Sequence, residues 1–443
     1  MSAAIPQGWQ KCRLEDCVEV LDSLRVPVNN AERQARIEGK PAEQLYPYYG
    51  ATGQVGVIDD FLFDEELVAL GEDGVPFLDP FKPKAYMLRG KTWVNNHAHV
   101  LRGLDGVVLN KFIFYYLNQF DYQGCVNGGT RLKLTQASMR TIPVPLPSFA
   151  EQTRIAAKLD ELLAQVDTLK ARIDGIPALL KRFRQSVLAA AVSGRLTEGG
   201  EGSELPAGWQ EKPFSSVISD LRYGTAQKCD YGGGSIGVLR IPNVGENGIS
   251  LEDLKSSNFS EAEIRKLSLQ QGDIVLIRSN GSVELVGKSA VVSRKEEGLL
   301  FAGYLIRVRL DNKKALPKYV NFWLKSPAVR QVIELTARST SGVNNINSEE
   351  IKSLMFTMPS LATQTEIVRR VEQLFAFADQ LEAKVNEAKK RIDRLTQSIL
   401  AKAFRGELVP QDPSDEPASE LLARIQAQRA SAPKTRRGRK VSV

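Results

Sequence analysis

The sequence predicts an α+β protein made of two pseudo-repeated α/β domains and two long helices that form a coiled coil. Three observations carry this. A helix-forming stretch is written twice, 212 residues apart. In both copies apolar residues recur at alternating steps of four and three. Each copy follows a segment of about 150 residues patterned as short strands and turns.

The helical copies are "PSFAEQTRIAAKLDELLAQVDTLKARI" (Pro147–Ile173) and "PSLATQTEIVRRVEQLFAFADQLEAKV" (Pro359–Val385). The first aligns Ile155, Leu159, Leu162, Val166, Leu169, Ile173 and Ile176. The second aligns Ile367, Val371, Leu374, Ala378, Leu381, Val385, Ala388, Ile392, Leu395 and Ile399. Unbroken four-three spacing is a coiled-coil seam rather than an ordinary amphipathic stripe. Two such seams in one chain can pair with each other, although each could also pack on its own domain. Ser148 and Ser360 stand where N-caps belong, after Pro147 and Pro359. From Ile367 to Ile399 the second seam would span about 50 Å of helix. "DGIP" (Asp174–Pro177) is expected to kink or end the first helix, yet the seam resumes at Leu180, Phe183, Val187 and Ala190. "RFRQSVLAAAVSGRL" (Arg182–Leu196) then matches "RLTQSILAKAFRGEL" (Arg394–Leu408), with Gly194 and Gly406 as terminating C′ glycines.

The unlike segments repeat more faintly. Each opens on a Trp, in "IPQGWQ" and "LPAGWQ", and each closes on an aromatic helix, "NKFIFYYL" or "PKYVNFWL". "YPYYGATGQVGVIDDFLF" (Tyr46–Phe63) places β-branched residues between Gly-rich turns. "GDIVLIRSNGSVELVGKSAVVS" (Gly272–Ser293) reads as a strand, a turn at Asn280-Gly281, and two further short strands. The resulting division is a first domain over 1–147, a helical region over 148–203, a second domain over 204–358, a second helical region over 359–410, and a basic tail over 411–443 expected to be disordered.

Charge and motifs narrow the function. Net charge is +7, but the last ten residues hold five of those charges without an acid, leaving +2 for the body. Bulk charge therefore does not announce nucleic acid, and any basic surface must be local. No segment has the pattern of a secretory signal or a membrane span, and the four cysteines form no CxxC pair, which fits a reducing cytoplasm. His97 and His99 alternate on one strand face without nearby carboxylates or cysteines, and are expected to be an exposed polar strand end rather than a metal site. "SVELVGKS" (Ser282–Ser289) resembles a phosphate loop, but Ser282 stands where the first glycine is needed and β-formers fill the interior. Glu382-Ala383-Lys384 mimics a nuclease pattern on what is read as a coiled-coil surface. The chain lacks GxSxG, HExxH and the Asn-Pro-Pro-aromatic methyltransferase motif. It reads as a binding protein, not an enzyme, with no cofactor of its own.

Both helical stretches, their "KRFRQSVLAAAVSGRL" and "RLTQSILAKAFRGEL" continuations, "YYGATGQVGVI" and the loop "NGGTRLKLT" (Asn127–Thr135) resemble the specificity (S) subunit of type I restriction-modification enzymes. The resemblance spans about Ser2 to Val409. It implies two target-recognition domains, each reading one half of a split, asymmetric site in double-stranded DNA. It also implies that the two helices pack antiparallel and hold those domains apart, which fixes the spacer. Such a subunit carries no catalytic residues. It recruits two modification subunits, which methylate adenine from S-adenosylmethionine, and two ATP-driven restriction subunits that also need Mg. The competing readings are a coiled-coil adaptor whose globular domains bind protein, and a self-contained DNA methyltransferase or nuclease.

DNA contacts are expected on turns rich in hydrogen-bond donors. In the first domain these are Tyr49, Gly50, Thr52, Lys91, Trp93, Asn95, Asn96, Gly129, Thr130, Arg131 and Lys133. In the second they are Arg222, Tyr223, Gln227, Lys228, Arg278, Ser279, Asn280, Ser282, Thr340, Ser341, Asn344 and Asn345. The outer faces of the helices offer Gln152, Arg154, Arg182, Gln185, Gln364, Arg369, Arg394 and Gln397 to the modification subunits.

Overall fold

A computed structural model describes residues 5–197, 205–337 and 342–431. The chain forms two compact units, one from the residues up to Asp174 together with those from Glu387 onward, the other from Gly175 to Asn386. The boundary falls inside both long helices, Phe149–Val192 and Leu361–Phe404, so each unit holds part of each.

The first unit is built on a four-stranded antiparallel sheet ordered Val18–Val20, Ala98–Gly103, Leu67–Gly71, Ala85–Leu88. Leu67–Gly71 is buried along its whole length, as a continuous apolar run in a central strand requires. A second sheet joins Gly53–Ile58, Tyr46–Gly50, Lys91–Val94 and Phe63–Asp64, with Tyr46–Gly50 and Lys91–Val94 parallel. The amino-terminal strand Gln10–Arg13 pairs antiparallel with Pro143–Leu146, which leads straight into the first long helix.

The second unit repeats the plan. Its four-stranded sheet is ordered Ile218–Tyr223, Leu305–Leu310, Ile274–Ile277, Ser289–Val291. Its opening strand Gln210–Pro213 pairs with Met355–Met358, just ahead of the second long helix. Of the two short strands expected after Asn280-Gly281, only Ser289–Val291 forms, because Val283–Leu285 closes a 3-10 turn instead.

Within each unit the helices run antiparallel. In the first, Lys170 pairs with Asp393 at 3.7 Å while Asp174 pairs with Lys389 at 2.7 Å. In the second, Arg184 reaches Asp379 at 2.6 Å and Arg370 donates to the Leu196 carbonyl at 2.5 Å. Ile155, Leu159, Ile367, Val371 and Ala378 are fully buried, but Leu169 and Leu395 stay 47% and 45% exposed, so the seam opens there. The Ser148 and Ser360 hydroxyls accept from the Glu151 and Thr363 amides as N-caps.

Two expectations are amended. The first helix does not end at Pro177 but continues through it, and the residue is exposed, so the Ile173 carbonyl it frees can be solvated rather than stranded. The carboxy-terminal tail contains a helix, Ala418–Ser431, whose Leu421 and Ile425 are buried in the core of the first unit. Its basic end, from residue 432, lies outside the described residues.

The duplication also governs how the helices end. Gly194, at φ 79°, fits against Pro206 and Trp209, where a Cβ would come within 2.2 Å of the proline ring. Gly406, at φ 69°, meets Pro6 and Trp9 in the same manner. Each domain's opening Trp is thus covered by the end of one long helix, and for the first domain that helix is the last of the repeat.

Candidate nucleic-acid interface

In the first unit, parallel pairing sets Tyr49 opposite Val94, so the turns that follow both strands emerge side by side. The Asn95 amide donates to the Tyr49 carbonyl at 3.1 Å, and the Asn95 side chain accepts from the His97 amide at 2.8 Å. The turn after Leu67–Gly71 joins them. The Glu72 amide donates to the His97 carbonyl at 2.8 Å, and Asp73 lies 2.9 Å from His97 Nδ1. Glu72 and Asp73 then hold the loop that carries the basic candidates. Arg131 pairs with Asp73 at 3.0 Å, Lys133 with Glu72 at 3.3 Å, and the Leu134 amide donates to the Glu72 carbonyl at 2.7 Å.

This edge brings together Tyr49, Gly50, Thr52, Asn95, Asn96, Gly129, Thr130, Arg131 and Lys133, of which Thr52, Asn96, Gly129, Thr130, Arg131 and Lys133 are exposed. Tyr49 is stacked on Tyr86 at 5.5 Å and Gly50 is buried, so these two support the turn rather than offer side chains. Trp93 is a correction. Its indole is 4% exposed and donates to the Val26 carbonyl at 3.0 Å, because strand alternation turns it into the core. Lys91 begins the strand that Asn95 follows, and its ammonium sits 4.6 Å from the Phe61 ring, away from the edge.

Below the loop lies a group that the sequence reading missed. His99 is 1% exposed, not a polar strand end, because its side chain enters between the sheet and the loop. Its Nδ1 is 2.6 Å from Asp22 Oδ2, and its Nε2 is 3.1 Å from the Leu134 carbonyl. Arg25 ties Asp22 (3.3 Å) to Glu72 (3.0 Å), and Gln136 donates to Asp22 at 2.9 Å. Burial alone would raise the Asp22 pKa. The His99 hydrogen bond and charge, the Val100 amide and Arg25 outweigh it and hold the pKa below the usual carboxylate value.

The second unit uses equivalent positions with different chemistry. There the Arg278 amide donates to the Tyr304 carbonyl and the Ile346 amide to the Arg278 carbonyl, as Glu72 and Leu134 do in the first. Arg278 therefore stands where the first unit has Glu72, and Asn345 where it has Lys133. Ser279 and Asn280 pair with Asn345 and Asn344 in a short ladder, and the Asn280 side chain accepts from the Ser282 amide at 2.9 Å. Tyr223 lies beneath Arg278, whose guanidinium carbon is 4.5 Å from the ring centre. Tyr223 and Arg278 border a cleft of about 820 Å³ that Lys228, Arg240, Lys255 and the 64%-exposed Tyr304 also line.

One candidate is turned elsewhere. Arg222 donates to Asp220 at 2.9 Å, a carboxylate shared with buried Arg307, because alternation along the strand points it away from Tyr223. Gln227 is exposed and lines the cleft, its side-chain nitrogen donating to the Ser257 hydroxyl and the Asn258 carbonyl at 2.8 and 2.9 Å. Thr340 and Ser341 lie outside the described residues.

The helix candidates divide in the same way. Gln152 and Gln364 are wholly buried rather than on an outer face, because each fastens its helix to the domain before it. Gln152 accepts from the Leu109 amide at 2.9 Å and donates to the Val107 and Pro147 carbonyls. Gln364 does the same with the Leu316 amide, Lys314 and Pro359. Arg154 is bound by Asp415, Gln397 donates to the Pro80 carbonyl at 2.6 Å, and Arg369 pairs with Glu366 at 2.7 Å. The two arginines Arg369 and Arg370 push the Glu366 carboxyl down to about 2. Arg182, Gln185 and Arg394 are exposed.

Comparison with known proteins agrees with this duplicated plan. The type I restriction modification DNA specificity domain matches twice, over residues 6–178 and 206–390. The specificity subunit of the type I restriction enzyme EcoKI from Escherichia coli (strain K12) is 39% identical over 352 residues, covering 76% of each chain. That of StySPI from Salmonella potsdam is 42% identical over 304 residues, covering 66% of this chain and 65% of its own. In fold, the HsdS subunit of Thermoanaerobacter tengcongensis superposes with a TM-score of 0.56 at 16% identity, covering 92% of this chain and 99% of the other. No helix among the described residues is long and apolar enough to cross a membrane.

Proposed function

The chain belongs to the type I restriction-modification DNA specificity family, and we propose that each of its two domains reads one half of a bipartite, asymmetric DNA site. The observation that carries this is the duplicated domain with one donor-rich edge on each copy: Thr52, Asn96, Thr130, Arg131 and Lys133 on the first, Tyr223, Lys228, Arg278 and Asn345 on the second. Backbone contacts position such a protein, and base edges in the grooves give it its specificity. Readers on one face of B-DNA stand roughly 34 Å apart per helical turn. Two continuous 44-residue helices, each about 66 Å long, are stiff enough to hold a spacer, as a flexible linker is not.

In this reading the chain itself performs no bond chemistry. Two modification subunits dock on the helices and supply adenine methylation from S-adenosylmethionine. Two restriction subunits add ATP- and Mg-dependent translocation and cleavage, and the assembly works in the cytoplasm. The test is duplex binding by the chain with its modification partner across a salt series. A specific complex whose affinity falls steeply with salt supports the reading; an associated, active partner with no DNA complex at any salt overturns it.

A further inference from the structure

Resting on the reading above, we infer that Arg278 is the guanine-reading residue of the second domain, presenting the free end of its guanidinium to the O6 and N7 edge of one guanine in that half-site. The first support is its missing counter-ion. Among the described residues, every other buried or half-buried arginine of this domain has a carboxylate: Arg222 and Arg307 share Asp220, Arg240 has Asp253, Arg309 has Asp273 and Arg330 has Glu334. Arg278 is half-buried, and no carboxylate among the described residues pairs with it. A partly desolvated cation without an anion is costly unless a ligand supplies acceptors.

The second support is orientation. The plane of the group is set by Tyr223 beneath it, 4.5 Å from its carbon to the ring centre, and its Nε donates to the Asn345 side-chain oxygen, Oδ1, at 3.0 Å. Tyr223 is itself fixed, its hydroxyl accepting from the Ser348 amide at 2.9 Å. Arg278 lines the open cleft, and among the described residues its terminal nitrogens make one hydrogen-bond contact, a long 3.5 Å approach of Nη1 to the Gly303 carbonyl. A guanidinium locked at Nε and on one face, with its terminal fork free, matches the paired acceptors of guanine in the major groove. A phosphate offers similar acceptors but needs no fixed plane, and it carries no sequence. In the first domain the equivalent position is Glu72, already occupied by Arg25 and Lys133, so this reader belongs to one half-site only.

The experiment maps adenine methylation in a methylation-free host expressing the full chain with its modification partner. A bipartite motif from the unaltered chain tests the function itself; without it that reading fails, apart from any question about Arg278. Given the motif, Arg278→Ala and Arg278→Lys are expected to relax one guanine position of one half-site. The other half-site and the spacer should stay unchanged, and preference at that position should fall roughly ten- to a hundredfold. The intact half shows that the variant folds and assembles. A motif unchanged at every position, with methylation merely weaker, would assign Arg278 to the phosphate backbone and overturn the inference. If the alanine variant abolishes methylation, the lysine variant decides between the same two outcomes.

Discussion

Arg154 and Asp415, 261 positions apart, form a two-pronged ion pair at 3.1 and 2.7 Å, and the same carboxylate accepts from the Ser148 hydroxyl at 2.9 Å. The start of the first long helix is thereby tied to the segment that follows the second. Asp415 is held below its ordinary carboxyl pKa, chiefly by the Arg154 hydrogen bond. This segment is part of the first domain's structure rather than an appendage.

Leu421, fully buried in the first unit's core, tests that point. Leu421→Ala should cost roughly 2–4 kcal/mol, read as a lower denaturation midpoint. Asp415→Ala should cost about 1 kcal/mol, since Arg154 is a third exposed and partly screened. Equal stability after truncation at residue 410 would show that the helix contributes nothing.

Gln152 and Gln364 should behave as a matched pair. Replacing either with Ala leaves a partly buried amide and two carbonyls unpaired, both carbonyls buried at Gln152 and one at Gln364, at a cost on the order of 2–4 kcal/mol. Gln→Glu should do no better, because a carboxylate cannot donate to those carbonyls. Thermal unfolding of the four variants measures this, and a loss under 0.5 kcal/mol, on the order of a surface change, would contradict it.

Asp22 gives the first domain an acid-sensitive anchor. Its pKa is lowered in the folded chain, so its contribution is present above the ordinary value of 3.8 and is lost as pH falls through the lower folded value. Asp22→Asn should lower stability at neutral pH and flatten the loss of stability below pH 3.8. Urea midpoints from pH 3 to 7 measure both effects; parallel curves for variant and parent would refute the assignment.

Lys133 and Lys228 are exposed cations on the two edges. Each change to Ala should weaken DNA binding about equally across sequences and reduce the salt slope by about 1. A changed recognition motif would instead make that lysine a base reader.

The duplication is legible in the chain because its signals are local: heptad steps, serine caps, terminal glycines, and a Trp at the head of each domain. The edges are half-legible. Donor-rich turns flag Asn96, Arg131, Arg278 and Asn345, but alternation along a strand decides that Trp93 and Arg222 point elsewhere, and short irregular strands hide that phase. Gln152 misleads because its partners lie 43 and 45 residues away. Glu72 and Asp73 pass unnoticed because acids carry no DNA-binding signature, and His99 is read as an exposed strand end because its burial appears only once the loop from Asn127 folds over it.

The central claim is that one chain reads two half-sites at a fixed separation. Single-molecule sequencing of adenine methylation, in a methylation-free host expressing this chain with its modification partner, tests it most directly. The account predicts one bipartite motif of constant spacer, methylated on both strands. An active, associated partner that leaves no such motif would contradict it.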